Sequence, residues 1–493
     1  EQFEIEKQPD GDTKVQVFKI TKEGERGKKL YDRTFKSDET REVRLYGLGG
    51  EDAFVVKGGK SDVRVRVIGG DGNDSVGVEA NASTRKIMYY DHASDKLLTK
   101  GVRDKTSRDP AVNVYDRKAF QYNRVAPLII GNYNPDDGLF IGGGLLAMTH
   151  GFRKNPFKQR HILTGSVAPR TESFNFLYRG TFADVVGKWD FDLAADVKSP
   201  NFVNNFFGWG NESVFDSEID ENDALDLDEA IDYYRYRFEE LRLEPSLIRN
   251  FGRNSFIKIG PALQRIEMEE PDDDDEARFI TDYASTLPTD LFNEYRSYVG
   301  ANWQVMLDTR NNRNFARRGI ALSVEGRNMN GLNKARADFS SYEGSLSIIH
   351  SFRSAGRLVF AVRAGGGINT GNYEFYQAQI LSGRTELRGF RKTRFYGDRK
   401  FFSNFELRLR LKNFKSYLFP ASFGVLAFHD LGRVWYEDES GTDPSAASGK
   451  SIVWHKGFGG GLWFTPFNLT VLSAEVGHSK EGTLAYVRLG FLF

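Results

Sequence analysis

Hydrophobic and polar residues alternate along most of the chain with a period of two, which is typical of β-strands rather than helices. The clearest example is Phe405–Lys412, in which one Phe and three Leu alternate with Glu, Arg, Arg and Lys. Successive side chains of a strand point to opposite faces of a sheet, so this segment predicts a strand with one apolar and one charged face. The same alternation returns in the last residues of the chain. The pattern predicts an all-β protein.

The length of the alternating segments changes near residue 120. Residues 1–120 contain short strands such as Val63–Val67, separated by glycine-rich turns, and predict a small all-β domain. Residues 121–493 contain longer amphipathic segments that follow one another to the last residue, and this length accommodates about 16 antiparallel strands. A water-soluble sandwich would account for one such strand. A closed transmembrane barrel, with lipid outside and a wet, charged interior, accounts for the repetition.

The chain contains no apolar run of the roughly 20 residues that a membrane helix needs. Any membrane-spanning role must therefore use strands. Long acidic inserts, Asp216–Asp232 and Glu269–Glu276, interrupt the strand pattern, and we expect them to be solvated loops at one end of the barrel.

Two related glycine turns lie 22 residues apart in the first domain, at Gly47–Val55 and Gly69–Gly77. The second turn fits the calcium-binding pattern GGxGxDxUx, in which Asp71, Asn73 and Asp74 are the candidate ligands. A calcium-binding β-roll needs consecutive repeats, because neighbouring turns share each ion. Two copies so far apart favour structural turns, with calcium binding as the alternative.

Composition excludes several functional classes. The 68 basic and 68 acidic residues balance, so no overall field attracts the chain to nucleic acid. Cysteine is absent, which excludes disulfides and thiol catalysis. The sequence has seven His without an HxH or HExxH arrangement, no GxSxG and no Walker loop. We therefore predict that this chain is not an enzyme and has no cofactor apart from the calcium alternative.

Two short motifs in the second domain are candidates for a lumenal contact. The first is Leu387-Arg388-Gly389-Phe390, and the second contains Phe428, Asp430 and Gly432. They resemble the (V/L)RG(F/Y) motif of the sixth extracellular loop and the FxDxG strand motif of the Omp85 superfamily, the BamA and D15 surface-antigen type of outer-membrane barrel. Leu307–Arg310 with Phe315 and Gly319 resembles a further hairpin of that family, and the resemblance covers roughly residues 123–493.

This resemblance implies a contact between Arg388 and Asp430 inside the barrel. An arginine offers a rigid fork of donors that binds a carboxylate bidentately and stays charged where water is scarce. Gly389 permits a close approach or a positive φ that a side chain would prevent. The alternative is that Arg388 is a solvated cation and Asp430 pairs with another lumenal arginine.

The ends of the barrel domain predict a seam between the first and last strands. We expect the first strand at Gly138–Thr149, with Gly142, Gly143 and Gly144 weakening its pairing, although these glycines could instead permit close packing under a loop. We expect the last strand at Thr483–Phe493. Its apolar alternation and its residues Phe491 and Phe493 resemble the assembly signal of outer-membrane barrels.

The resemblance implies a location in the outer membrane of Gram-negative bacteria, with the first domain in the periplasm. Our first functional hypothesis is insertion, assembly or translocation of proteins through the seam. Its partners would be outer-membrane lipid and lipopolysaccharide, client outer-membrane proteins and accessory assembly factors. The second hypothesis is a barrel that anchors or exports an upstream enzymatic domain, because residues 1–120 lack the helices of periplasmic POTRA domains. The third is a secreted calcium-binding β-roll protein.

Overall fold

The computed structural model describes residues 1–92, 101–134, 138–216, 231–252, 254–270, 279–283, 291–292, 294–333, 338–352, 357–415, 419–437, 452–467 and 470–493. The chain divides into two compact units, Glu1–Gln121 and Tyr122–Phe493. Most of both acidic inserts, residues 217–230 and 271–278, lies outside the described residues. Within the described ranges, no helix combines the length and the apolar character required to cross a bilayer.

The first unit consists of two sheets. One sheet has the strand order β3-β2-β1-β5-β7 and the other the order β4-β6-β8-β9. The strands are β1 (Gln2–Lys7), β2 (Thr13–Ile20), β3 (Arg26–Phe35), β4 (Glu42–Gly49), β5 (Ala53–Gly58), β6 (Arg64–Asp71), β7 (Ser75–Val78), β8 (Ile87–Tyr90) and β9 (Arg103–Asp104). A 3₁₀ turn follows at Pro110–Val112.

Parallel pairing in this unit follows a 22-residue repeat. Glu42 pairs with Arg64, Ala53 with Ser75, and Val65 with Ile87, so consecutive coils of the chain stack in register. The two sheets enclose a core of buried valines and aromatic residues from both sheets. The repeated glycine turns are therefore the corners of successive coils.

The second unit is a closed antiparallel barrel of sixteen strands. The strands are β10 (Arg124–Asn134), β11 (Gly138–Gly151), β12 (Lys154–Ala168), β13 (Ser173–Val186), β14 (Trp189–Asn205), β15 (Arg235–Phe251), β16 (Ser255–Met268), β17 (Arg296–Asp308), β18 (Gly319–Gly331), β19 (Phe339–Ser351), β20 (Leu358–Gly371), β23 (Arg399–Lys415), β24 (Pro420–Trp435), β25 (His455–Pro466), β26 (Leu472–Ser479) and β27 (Gly482–Leu489). A four-residue helix, α1 (Phe279–Asp282), lies between β16 and β17. The predicted all-β class with a sixteen-stranded antiparallel barrel is confirmed.

The distribution of exposed and buried side chains along β23 is the one expected of a strand in a membrane barrel. Phe405 and Leu407 are 47% and 41% exposed on the outer face, whereas Glu406 and Arg408 are 0% and 3% exposed on the inner face. A water-soluble protein buries its apolar residues and exposes its charges. The inversion here indicates an apolar outer surface and a charged interior.

The connections between barrel strands alternate in length. Residues 152–153 and 187–188 form short turns at one end, whereas the connections 206–234 and 372–398 at the other end are long. The last of these contains the short paired strands β21 (Gln379–Leu381) and β22 (Phe395–Gly397) and a 3₁₀ turn, Phe375–Gln377. This connection, hereafter the inner loop, carries the candidate site.

Candidate functional site: an arginine at the tip of the inner loop

The tip of the inner loop lies inside the barrel. Arg388 is fully buried, and its side chain contacts inward-facing residues of β23, β24 and β26. Its Nε and Nη2 donate to the two carboxylate oxygens of Asp430 at 2.8 and 2.9 Å, which is the bidentate geometry of an arginine fork. The main-chain N–H of Arg388 donates to the same carboxylate at 3.1 Å. The structure thus brings together the two residues that the resemblance pairs.

Arg388 also binds two carboxylates that the sequence analysis did not assign to it. Its Nη1 lies 2.8 Å from Glu406 Oε2 and 3.0 Å from Glu475 Oε2. Arg408 donates to the other oxygen of Glu406 at 2.6 Å, and Arg488 lies 3.9 Å from Glu475. Three arginines therefore face three carboxylates in this group.

The group, hereafter the Arg388 cluster, consists of Arg388, Arg408, Arg488, Glu406, Asp430 and Glu475. Its charges balance, which lowers the cost of keeping it away from bulk water. The ring of Phe428 lies under the guanidinium of Arg388, with the ring centre 3.5 Å away, and adds a cation–π contact. Phe428 and Asp430 point to the same face of β24 because they are two residues apart.

Gly389 contacts the last two strands of the barrel. It has φ of +96°, and a Cβ at this position would lie 2.8 Å from the main-chain carbonyl of His478. Its N–H donates to the Tyr486 hydroxyl at 2.9 Å, and its carbonyl accepts from Ser479 Oγ at 2.5 Å. Both the conformation and the contact distance thus require glycine here.

Apolar residues on each side of the tip pack beneath it. Leu387 and Phe390 are buried in a cluster with Phe402 of β23 and Val434 of β24. Gly432 lies beside this cluster, where a Cβ would be 3.0 Å from Leu381 Cδ1. The two sequence motifs therefore meet through an ion pair and through apolar packing.

The inner loop has further polar attachments to the barrel. Arg394 is buried and donates to Glu481, in the β26–β27 turn, at 2.9 Å and to the Ser213 carbonyl at 2.7 Å. At the start of the loop, Glu374 accepts from Arg296 of β17 at 2.7 Å, and both are buried. The sequence carried no signal for these partners, which depend on strand register and on the loop path.

The expected first strand of the barrel was wrong. Gly142, Gly143 and Gly144 lie in β11, which pairs along its length with both β10 and β12, so these glycines are not at the seam. The first strand is β10. Cβ atoms at Gly142 and Gly144 would lie 2.1 Å from carbonyl oxygens of β12, which indicates that these glycines permit close strand approach.

The last strand is also shorter than expected, since β27 ends at Leu489. Phe491 and Phe493 lie beyond it, and Phe491 packs against Phe315 and Trp463. The guanidinium of Arg408 lies 3.8 Å from the Phe491 ring centre, and its Nη2 donates to the Phe493 main-chain oxygen at 2.8 Å. These residues thus leave the sheet and contact an inward-facing arginine.

The candidate calcium turn has a structural role in the coil stack. Asp74 Oδ1 accepts the main-chain N–H of Asp52 at 2.8 Å, and the Asp71 carbonyl accepts the N–H of Gly50 at 2.9 Å. Asp71 and Asn73 are exposed. Among the described residues, no group of three or more His, Asp or Glu side chains has an arrangement that could hold a metal ion. Calcium binding by Asp71, Asn73 and Asp74 stays a prediction.

Comparisons with known proteins agree with this architecture. Residues 186–474 match the family model described as the Omp85 superfamily domain. The crystal structure of BamA from Haemophilus ducreyi lacking POTRA domains 1–3 is similar, with a TM-score of 0.52 and 13% identity over 75% of this chain and 70% of that chain. No curated protein sequence matches the chain significantly.

Two further solved structures match with lower TM-scores. CdiB from Acinetobacter baumannii has a TM-score of 0.46 and 15% identity, over 74% of this chain and 59% of that chain. CdiB from Escherichia coli has a TM-score of 0.47 and 13% identity, over 76% of this chain and 64% of that chain. At such identities the similarity to BamA concerns the fold alone.

Proposed function

Because the chain belongs to the Omp85 superfamily, whose barrels reside in the outer membrane of Gram-negative bacteria, we propose that it inserts, assembles or translocates proteins there through the seam between β10 and β27. Family membership supports a general role as a barrel for protein assembly or secretion. Membership of this family argues against the hypothesis that the whole chain is a secreted calcium-binding β-roll protein. The proposal assigns no catalysis to the described residues.

The observation that carries the proposal is the weak pairing at the seam. Among the described residues, β10 and β27 are registered at one position, Tyr133 opposite Val487. In contrast, β26 pairs with β27 continuously from Leu472 opposite Leu489 to Ser479 opposite Gly482. Over the described part of the seam, few main-chain hydrogen bonds must therefore break to separate β10 from β27.

An opened seam exposes the main-chain donors and acceptors of both edge strands. Such edges pair readily with another extended chain, and β-augmentation is a general mode of peptide recognition. In the membrane, an unpaired main-chain group costs several kcal/mol, which favours pairing with a client strand over a bare edge. A client strand that can form part of a barrel is thus the partner that this seam fits.

We propose that the Arg388 cluster fixes the inner loop and that the loop tip supports the seam. Tyr486 lies on β27. Its hydroxyl accepts the main-chain N–H of Gly389 and donates to the main-chain carbonyl of Phe390. The buried charges define one loop position, because any displacement would leave a carboxylate unpaired. The partners of the barrel would be outer-membrane lipid and lipopolysaccharide, client proteins and accessory assembly factors, with the first unit in the periplasm.

A disulfide across the seam tests the proposal. The chain has no cysteine, so Tyr133→Cys with Val487→Cys introduces a single pair at the registered position. Directly paired strand residues lie within the Cα range of a disulfide. Oxidation is expected to abolish the insertion or secretion of client proteins by this barrel in reconstituted liposomes, and reduction is expected to restore it.

The matched control is Ala474→Cys with Val487→Cys, which joins β27 to β26 instead. This pair shares one cysteine position with the seam pair but leaves the seam free to open. Its oxidation is expected to have no effect on client handling. Full client handling with the seam locked would contradict opening between β10 and β27.

A second candidate function is anchoring or export of an upstream enzymatic domain. The observation that favours it is the first unit, whose described residues form stacked β-coils and a 3₁₀ turn rather than an α/β unit. The upstream coding sequence distinguishes the two candidates. GDxH and GNH elements there would favour a phosphoesterase, GxSxG a lipase, and POTRA patterns the assembly function.

A further inference from the structure

A polar cavity of about 330 Å³ lies inside the barrel along β15–β19. Inward-facing residues of these strands form its wall, and the turn Tyr376–Ala378 of the inner loop completes the lining. The cavity is separate from the Arg388 cluster, whose carboxylates are on β23, β24 and β26. Volumes of this size are typical of small-molecule sites.

The charges that line the cavity balance. Three are cationic and three are carboxylates: Arg242, Lys258, Arg327, Glu244, Glu325 and Glu343. Arg327 donates to Glu244 at 2.8 Å, and Lys400 lies 2.9 Å from Glu343. Arg242 donates to Glu240 at 2.6 Å. A lining in which charges are matched and largely paired offers no net attraction to an anion or a cation.

Three buried polar atoms of the lining have no hydrogen-bond partner: Asn302 Oδ1, Arg242 Nε and Gln377 Nε2. Asn302 is 8% exposed, and its Oδ1 is an acceptor without a donor. The Nε of Arg242 is a donor without an acceptor. A buried polar group left unpaired destabilises the structure, so a ligand that both donates and accepts gains from binding here.

We propose that this cavity binds a neutral saccharide. Each hydroxyl of a sugar donates and accepts, which suits the unpaired acceptor of Asn302 and the unpaired donor of Arg242. Phe339 and Tyr376 add ring surface to the lining for the C–H face of a sugar, and Gln264 and Ser341 add further polar groups. An apolar ligand would leave Asn302 Oδ1 unpaired, and a charged ligand would disturb the existing ion pairs. The inference does not depend on the proposed function.

Titration calorimetry with the purified full chain tests the proposal. The detergent must lack a sugar headgroup, and the probes are glucose, galactose and maltose, with glucosamine and glucose 6-phosphate as charged analogues. At least one neutral sugar is expected to bind saturably, and the charged analogues at least tenfold more weakly. No saturable binding of any neutral sugar, or preferred binding of a charged analogue, would overturn the proposal.

A matched pair of variants locates the binding. Asn302→Leu removes the unpaired acceptor and is expected to weaken sugar binding at least tenfold. Asn328→Leu makes the same change in the neighbouring strand, where Asn328 hydrogen-bonds Ser340 and Tyr342 and does not line the cavity, and binding is expected to be unchanged. Heat-modifiable migration checks that both variants fold, and Gln304→Leu replaces Asn302→Leu if that variant does not. Equal binding by the cavity variant and wild type would place the sugar elsewhere and refute the site.

Discussion

The N–H of Gly389 donates to the hydroxyl of Tyr486 at 2.9 Å, and that hydroxyl donates to the carbonyl of Phe390 at 3.1 Å. One side chain of the last barrel strand therefore satisfies two main-chain groups at the tip of the inner loop. Because β27 is also a seam strand, the position of the loop and the closure of the barrel are linked through one residue.

Tyr486→Phe removes only the hydroxyl and leaves the Gly389 N–H and the Phe390 carbonyl without this partner. Since both groups are buried, we expect the folded barrel to lose about 1–3 kcal/mol of stability. The loss is measured as a lower temperature of the heat-modifiable shift and as faster trypsin cleavage within residues 372–398. Tyr342→Phe is the control, because the Tyr342 hydroxyl accepts from Asn328 outside the inner loop. Identical behaviour of the two variants would show that the Tyr486 hydroxyl does not hold the loop.

Arg388→Met leaves three buried carboxylates without their shared cation. Breaking a buried ion pair by removing one partner costs about 3–5 kcal/mol, so we expect a poorly assembled, protease-sensitive barrel that fails to complement. Arg388→Lys is expected to rescue only in part, because an ammonium cannot reproduce the bidentate contact with Asp430. Asp430→Ala is expected to behave like Arg388→Met.

The control for these changes is Arg399→Met, since Arg399 is half exposed and lies 3.5 Å from Glu437. An exposed pair contributes about 0–1 kcal/mol, so its migration and activity are expected to match wild type. Wild-type heat-modifiable migration and full complementation by both Arg388→Met and Asp430→Ala would refute the anchoring role.

Gly389→Ala adds one methyl group at a position with φ of +96° and a carbonyl 2.8 Å from the new atom. We expect the loop tip to move away from β26, with exposure of the inner loop to trypsin and a marked loss of client handling. Gly344→Ala is the control, because its nearest neighbour would be 3.7 Å away and its φ is not positive. Normal activity of Gly389→Ala would mean that the tip tolerates displacement.

Alternation along the strands was sufficient to predict which side chains face the lumen. Glu406 and Arg408 follow from the pattern of Phe405–Lys412, and both are buried inside. The contact of Glu475 of β26 with Arg388 could not be predicted, because the alternation along a strand does not encode the inter-strand register or the path of a long loop. The contact of Arg388 with Asp430 came from motif resemblance rather than from the pattern.

The error at the start of the barrel has a physical cause. β10 contains Pro127 in a short apolar run without strict alternation, so its residues show no strand pattern, and the more regular β11 was predicted as the first strand instead. Proline is tolerated in β10 because β10 is an edge strand at the seam.

In the first unit, the 22-residue spacing was visible in the sequence of the glycine turns. That this spacing is the length of one coil could be recognised only from the parallel pairing of the strands.

Calcium is expected to have little effect on the first unit, because Asp74 Oδ1 already accepts the Asp52 N–H. Hydrogen-exchange mass spectrometry of the full chain, with and without millimolar calcium, measures this directly. Slower exchange across residues 69–77 with calcium, abolished by Asp71→Asn, would instead support Asp71, Asn73 and Asp74 as ligands. Magnesium at the same concentration controls for ionic strength.

Gly72→Ala is expected to disrupt the stacking of consecutive coils in the first unit. Gly72 has φ of +144°, and a Cβ there would lie 1.8 Å from the carbonyl oxygen of Gly50 in the preceding coil. Relief of this overlap must separate the two coils, so amide exchange is expected to accelerate in β4–β7 while the barrel strands keep their protection. Gly59→Ala is the control in the same unit, since its Cβ would have no neighbour within 4 Å. Equal protection in the two variants would contradict the close glycine stacking at the corner of the coils.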